Sequence, residues 1–109
     1  MSNNRTVDLH QLTEIFKALS NPYRLGIFIR LTRCPEHMKD ANPDGQICEC
    51  VGALGKDLNI APSTVSHHLK ELSRSGLIIM SRRGQNVECR VDHEVLTSLV
   101  TFLEKLGQG

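Results

Sequence analysis

The stretch "PSTVSHHLKELSRSGLIIMSRR", residues 62–83, changes its apolar period half-way along. Up to Gly76, the apolar residues Val65, Leu69 and Leu72 fall four and three apart with polar residues between them, the signature of an amphipathic helix. Pro62 suits the first position of such a helix, and Gly76 supplies a stop. Beyond Gly76 the runs "LIIMSRR" and "NVECRV" are separated by Gly84-Gln85, and Val87, Cys89 and Val91 alternate with Glu88 and Arg90. That alternation predicts a two-stranded hairpin. Upstream, residues 48–58 read as a short helix with Val51, Leu54 and Leu58 on one side. Asn59 there suits a left-handed ending, and Ile60 turns back toward the core. A short helix, a tight turn and an amphipathic second helix make a helix-turn-helix, spanning about 48–75, with the hairpin at about 77–91 as its wing.

Working outward, Leu9, Leu12, Phe16 and Leu19 recur at helical spacing until Ser20-Asn21-Pro22 interrupts them. Pro22 opens a second helix, with Leu25, Phe28, Ile29 and Leu31 apolar, that ends near Cys34-Pro35. "CPEHMKDANPDGQ" then reads as a long loop. The final segment is helical again, with Val95, Leu96, Leu99, Val100, Phe102, Leu103 and Leu106 spread over more than one face. A short chain has no core large enough to bury such a helix on all sides, so a partner subunit is the economical expectation. The fold class predicted is mainly α with a small β-hairpin, one domain over residues 1–109.

The chain has 109 residues, 39% apolar, with no Trp, one Tyr and three Phe, enough for one thin core. No stretch approaches the roughly 18 apolar residues of a membrane span, and the polar start "MSNNRTVDLHQ" lacks a secretion signal. A cytoplasmic protein with no membrane partner is expected. Its four cysteines then read as thiols, metal ligands or redox sensors rather than structural disulfides. There is no glycine-rich phosphate loop, nucleophile elbow or paired carboxylate set, so no catalytic residue is assigned and an enzyme is not expected.

The overall charge of +1 conceals an uneven distribution: residues 62–91 hold five Lys or Arg against two Asp or Glu, and the last eighteen residues hold one against three. The basic excess coincides with the helix-turn-helix and hairpin, as expected of a surface that meets a polyanion. The second helix of such a motif enters the DNA major groove. Its outward positions are read as Ser63, Thr64, Ser66, His67, His68 and Lys70, all able to hydrogen-bond. Arg82 and Arg83, at the hairpin tip, are within reach of backbone phosphates or an adjacent minor groove. Each of these residue types is common on any surface, so the arrangement carries the argument rather than any one side chain.

"STVSHHLKELSRSGLI", "RRGQNVECRV" and "FKALSNPYRLGIFIRL" together resemble the ArsR/SmtB family of winged-helix repressors over nearly the whole chain. The resemblance implies a homodimer paired through the first and last helices, about 8–19 and 93–106. It implies repression by binding double-stranded operator DNA, with no cofactor required for binding. It also implies release by an inducer, either a metal ion, arsenite, antimonite or, in some branches, a thiol oxidant. In the arsenic-sensing branch a Cys-x-Cys pair starts the helix before the recognition helix, and Cys48 and Cys50 occupy that place in "QICECVGAL". Thiolates there suit As(III), Sb(III) or another soft ion. At about 100° per residue, however, positions two apart diverge by roughly 200°, so both thiols reach one ion only if that turn opens. The third cysteine of many relatives is replaced by Ala53, which makes Cys34 the substitute ligand and His37 a weaker one. Cys89, on the apolar face of the wing, reads as core. The His and carboxylate site of the zinc-sensing branch looks absent, since Asp92-His93-Glu94 is followed by no second His. Two alternatives stand beside the metalloid reading. One is a thiol-redox repressor pairing Cys34 or Cys89 with Cys48 or Cys50, and the other is a winged-helix repressor with no inducer site.

Overall fold

Asp8 starts the first helix by accepting a hydrogen bond from the Gln11 amide at 2.8 Å, which satisfies one of the donors a helix start leaves unpaired. The computed structural model describes residues 7–33, 55–56, 58–83 and 86–109. Helix α1 runs Leu9–Leu19 and α2 runs Pro22–Arg33. Asn21 caps α2, its side-chain oxygen accepting from the amides of Tyr23 at 2.8 Å and Arg24 at 3.1 Å. Helix α3 runs Pro62–Ser75, followed by β1 Ile78–Arg83, β2 Asn86–Val91 and α4 His93–Gly107. Cys34, His37, Cys48, Cys50 and Ala53 lie outside the described residues, as do the loop and most of the helix predicted around them.

The last turn before α3 closes as predicted. Asn59 has a left-handed φ of 57°; its amide donates to the Lys56 carbonyl at 3.1 Å, and the Ile60 amide donates to the Gly55 carbonyl at 3.0 Å. These are the paired bonds of a Schellman ending, and Ile60 packs on the core beyond it. Gly55 is buried so closely against α3 that a Cβ there would stand 3.0 Å from the Val65 side chain. At the far end of α3, Gly76 takes a left-handed φ of 91° and its amide donates to the Ser73 carbonyl. Only a residue without Cβ adopts that conformation cheaply.

The hairpin is antiparallel, in register from Ile78 opposite Val91 to Arg83 opposite Asn86. Cys89 sits opposite Met80 and is 1% exposed, so it belongs to the core as its alternation predicted. Asp92 then caps α4, accepting from the amides of Glu94 and Val95. One core gathers Leu12, Ile15 and Ala18 of α1, Ile27, Phe28 and Leu31 of α2, Val65, Leu69 and Leu72 of α3, then Leu77, Ile78, Cys89, Val91, Val95 and Leu99.

The faces of the outer helices differ in part from their sequence series. Of Leu9, Leu12, Phe16 and Leu19, only Leu12 is buried, because α1 turns Ile15 and Ala18 inward. Leu9 and Phe16 point roughly 100–120° away from Ile15 and stay exposed. On α2, Leu25 and Ile29 are likewise exposed. On α4, Val95 and Leu99 face the core while Val100, Leu103 and Leu106 do not.

Candidate nucleic-acid interface

Helix α3 carries two opposed stripes. Val65, His68, Leu69, Leu72 and Ser75 are buried, whereas Ser63, His67, Lys70 and Arg74 form a row three or four residues apart on the other side. Thr64 is exposed beside that row and Ser66 is half-buried at its edge. The helix begins at Ala61 in extended conformation with Pro62 first, without a side-chain cap and without an acidic residue in its first turn. Its positive dipole end therefore faces solvent unneutralised by its own first-turn side chains, a favourable place for phosphate. Toward its end, Arg74 pairs with Glu71 at 3.2 Å, so among the described residues the unpaired positive charge of this row is at Lys70.

One expected outward residue faces the other way. His68 is only 7% exposed, and its ring stacks on Tyr23 of α2 with centroids 6.2 Å apart and planes 13° from parallel. The correction follows from arithmetic that the residue type obscured: His68 lies three residues after Val65 and four before Leu72, which places it on the core stripe. Burial is the main cause that lowers its pKa below the ordinary 6.5, with Arg24 and His67 adding to the shift and Glu71 opposing it. His68 is therefore a packing element of α3 and not one of its outward donors.

The remaining candidates divide by position. Arg82 and Arg83 occupy the end of β1 opposite Val87 and Asn86, and their side chains lie outside the described residues. Among the described residues no three His, Cys, Asp or Glu gather to hold a metal ion. Asp92, within the Asp92-His93-Glu94 run, uses its carboxylate as a helix cap. A notch of about 130 Å³ opens where α1, α2 and α3 meet. It is lined by Glu14, Lys17, Arg24, Glu71 and Arg74, of which Glu14–Lys17 and Glu71–Arg74 are already paired.

This arrangement has relatives. Residues 47–79 match the bacterial regulatory proteins of the arsR family. YbzH of Bacillus subtilis strain 168, an uncharacterized HTH-type transcriptional regulator, is 35% identical over 96 residues, covering 84% of this chain and 93% of its own. The chain belongs to the ArsR family of helix-turn-helix transcriptional regulators. The crystal structure of an ArsR family transcriptional regulator superposes with a TM-score of 0.66 at 26% identity, over 99% of this chain and 94% of that one. The solution structure of a homodimeric winged helix-turn-helix DNA-binding domain from Mycobacterium bovis shares the fold, with a TM-score of 0.58 at 24% identity, over 96% and 88% of the two chains. Helix α3 and the β1–β2 hairpin are the segments that the sequence pattern leads one to expect as recognition helix and wing. The relatives of this ArsR regulator are transcription regulators, not enzymes. Among the described residues, no helix is long and apolar enough to cross a membrane.

Proposed function

We propose that this ArsR-family regulator is a homodimeric repressor that grips double-stranded operator DNA with α3 and the wing. A soft ion bound by cysteine thiolates releases it. The observation that carries the DNA reading is the division of α3 into opposed stripes. Ser63, Thr64, His67 and Lys70 present donors and acceptors at base-edge reach, Ser66 flanks them, and the uncapped helix start offers its dipole to a phosphate. Arg82 and Arg83 add two positive charges to the end of β1. Pairing of two copies is supported by the exposed Leu9 and Phe16 of α1 and by Val100, Leu103 and Leu106 of α4, apolar residues on the helices through which the family resemblance implies dimerisation. It is also supported by the homodimeric Mycobacterium bovis relative.

The inducer reading places As(III), Sb(III) or another soft ion on Cys48 and Cys50, with Cys34 as third ligand. Thiolates are the ligands such ions prefer. Cys89, 1% exposed in the core, is poorly placed to join them or to serve as a disulfide partner. Transmission to DNA has a physical route. On the sequence reading, the turn that carries Cys48 and Cys50 begins the helix of residues 48–58 and must open for both thiolates to meet one ion; the described part of that segment holds Gly55, close against Val65 of α3, and the Asn59 turn. Displacement of that helix end displaces the recognition helix, so an ion that binds the opened form better lowers operator affinity.

The test follows fluorescence anisotropy of a labelled duplex from upstream of the gene while arsenite, antimonite, cadmium, lead, zinc or diamide is added, in wild type and in Cys34→Ser, Cys48→Ser and Cys50→Ser. Arsenite or antimonite should release the wild type and fail on Cys48→Ser and Cys50→Ser. Release by diamide alone would replace the soft-ion reading by a redox one, and absence of release by any of them would leave a repressor without an inducer site.

A further inference from the structure

His68 is the one buried polar side chain of the recognition helix for which packing has supplied no polar partner: among the described residues, its Nδ1 alone is buried without a hydrogen bond. A neutral imidazole tolerates this, because one ring nitrogen is a bare lone pair. The imidazolium does not, since both nitrogens then carry protons and an Nδ1–H here has no acceptor. The groups around it reinforce the difference. From α2, Tyr23 covers the ring face and Arg24 contributes a positive charge; from α3 itself, His67 contributes a tilted ring with centroids 5.8 Å apart, and Glu71 a single carboxylate. Glu71 is bound to Arg74, while Glu14 and Lys17 of α1, which line the same notch as Arg24, pair with each other at 3.7 Å. Arg24 is itself held in place, its Nε donating to the Ala18 carbonyl at 2.8 Å.

We propose that His68 is a pH-sensitive latch of the recognition helix: neutral, it fills the seam between α2 and α3, and protonated, it is driven out of that seam, unseating α3 and weakening DNA binding. This rests on the reading of α3 as the DNA-binding helix. The sign follows from the burial. The folded protein holds the neutral form to lower pH than an unfolded chain does, so stability associated with His68 is intact above about 6.5 and is lost as the pH falls toward the lowered native value. Exposed histidines act oppositely on DNA affinity. The latch is therefore visible as a difference between proteins that share His67 and differ at residue 68.

The experiment compares wild type with His68→Phe, which keeps a ring on Tyr23 and cannot titrate. Anisotropy with the upstream duplex is read at pH 7.5, 6.5 and 5.5 at constant ionic strength, beside an NMR titration of the wild-type imidazoles without DNA. The affinity of wild type relative to His68→Phe should fall at least about threefold from pH 7.5 to 5.5. The His68 midpoint should lie below the ordinary 6.5, and α3 amide protection should drop as His68 titrates. A constant affinity ratio, or a His68 midpoint at or above the ordinary 6.5, overturns the proposal. Should His68→Phe not fold, the midpoint and the protection of wild-type α3 decide it alone. Lack of binding at pH 7.5 would remove the DNA reading, and the NMR titration would still judge the latch.

Discussion

Replacing Gly76 by Ala tests how α3 is fastened at its end. Gly76 has a φ of 91°, and a Cβ added there would collide with Nε2 of Gln11, a side chain of α1 that donates to the Ser75 carbonyl at 3.3 Å. Two costs follow. The left-handed conformation costs an L-residue about 1–2 kcal/mol, and evicting Gln11 forfeits a part-buried hydrogen bond of about 1 kcal/mol. The sum is about 2–3 kcal/mol, or a fall in Tm of roughly 10–20 °C for a domain of this size. Chemical denaturation of Gly76→Ala, Gln11→Ala and the double variant measures both parts. Gln11→Ala alone should cost about 1 kcal/mol, and the double variant about 1 kcal/mol less than the sum of the two single variants, because each single variant loses the same Gln11–Ser75 hydrogen bond and the double variant loses it once. Additive costs would refute the claim that Gln11 and Gly76 meet, and a loss below about 0.5 kcal/mol for Gly76→Ala would refute the strained-turn argument.

Further outcomes follow from the same geometry. Lys70→Ala should weaken binding to specific and random duplexes alike, and reduce the slope of log affinity against log salt by about one; an unchanged slope in a salt titration would take Lys70 off the phosphate. Leu103→Asp places a charge on the exposed apolar face of α4. The chain should then sediment as a folded monomer at concentrations where wild type is a dimer, whereas an unaltered sedimentation coefficient would move the interface elsewhere. Asp92→Ala removes the carboxylate that caps α4 and should cost about 1 kcal/mol, read by thermal unfolding, with DNA affinity at 25 °C little changed.

The local chemistry of the chain foretold most of its framework. Pro22 and Pro62 open helices, Asn59 and Gly76 take left-handed conformations, and Gly84-Gln85 separates two strands whose alternation buries Cys89. These are properties of a few neighbouring residues, set by ring closure, the absence of a Cβ or a two-residue period, and they need no distant partner. The outward row of α3 was largely legible for the same reason, since Ser63, His67 and Lys70 follow from helical spacing once Val65, Leu69 and Leu72 are taken as the inner stripe.

The burial of His68 was legible in its spacing but hidden by its residue type, and the inner face of α1 was not legible at all. A histidine between apolar positions reads as polar until another helix supplies a ring to stack on it, and Tyr23 lies 45 residues away in sequence. Likewise, Leu9 and Phe16 are as apolar as Leu12, and only the angle at which α1 meets α2 and α3 selects Leu12, Ile15 and Ala18 for the core. The sequence by itself determined where α1, α3, α4 and the two strands begin and end and which face of α3 is polar, because those are decided by backbone conformation and periodicity within a few turns. Tertiary structure alone decided what covers His68 in the seam beneath α3 and which apolar residues of α1, α2 and α4 stay exposed, because burial depends on the elements that arrive from elsewhere in the chain.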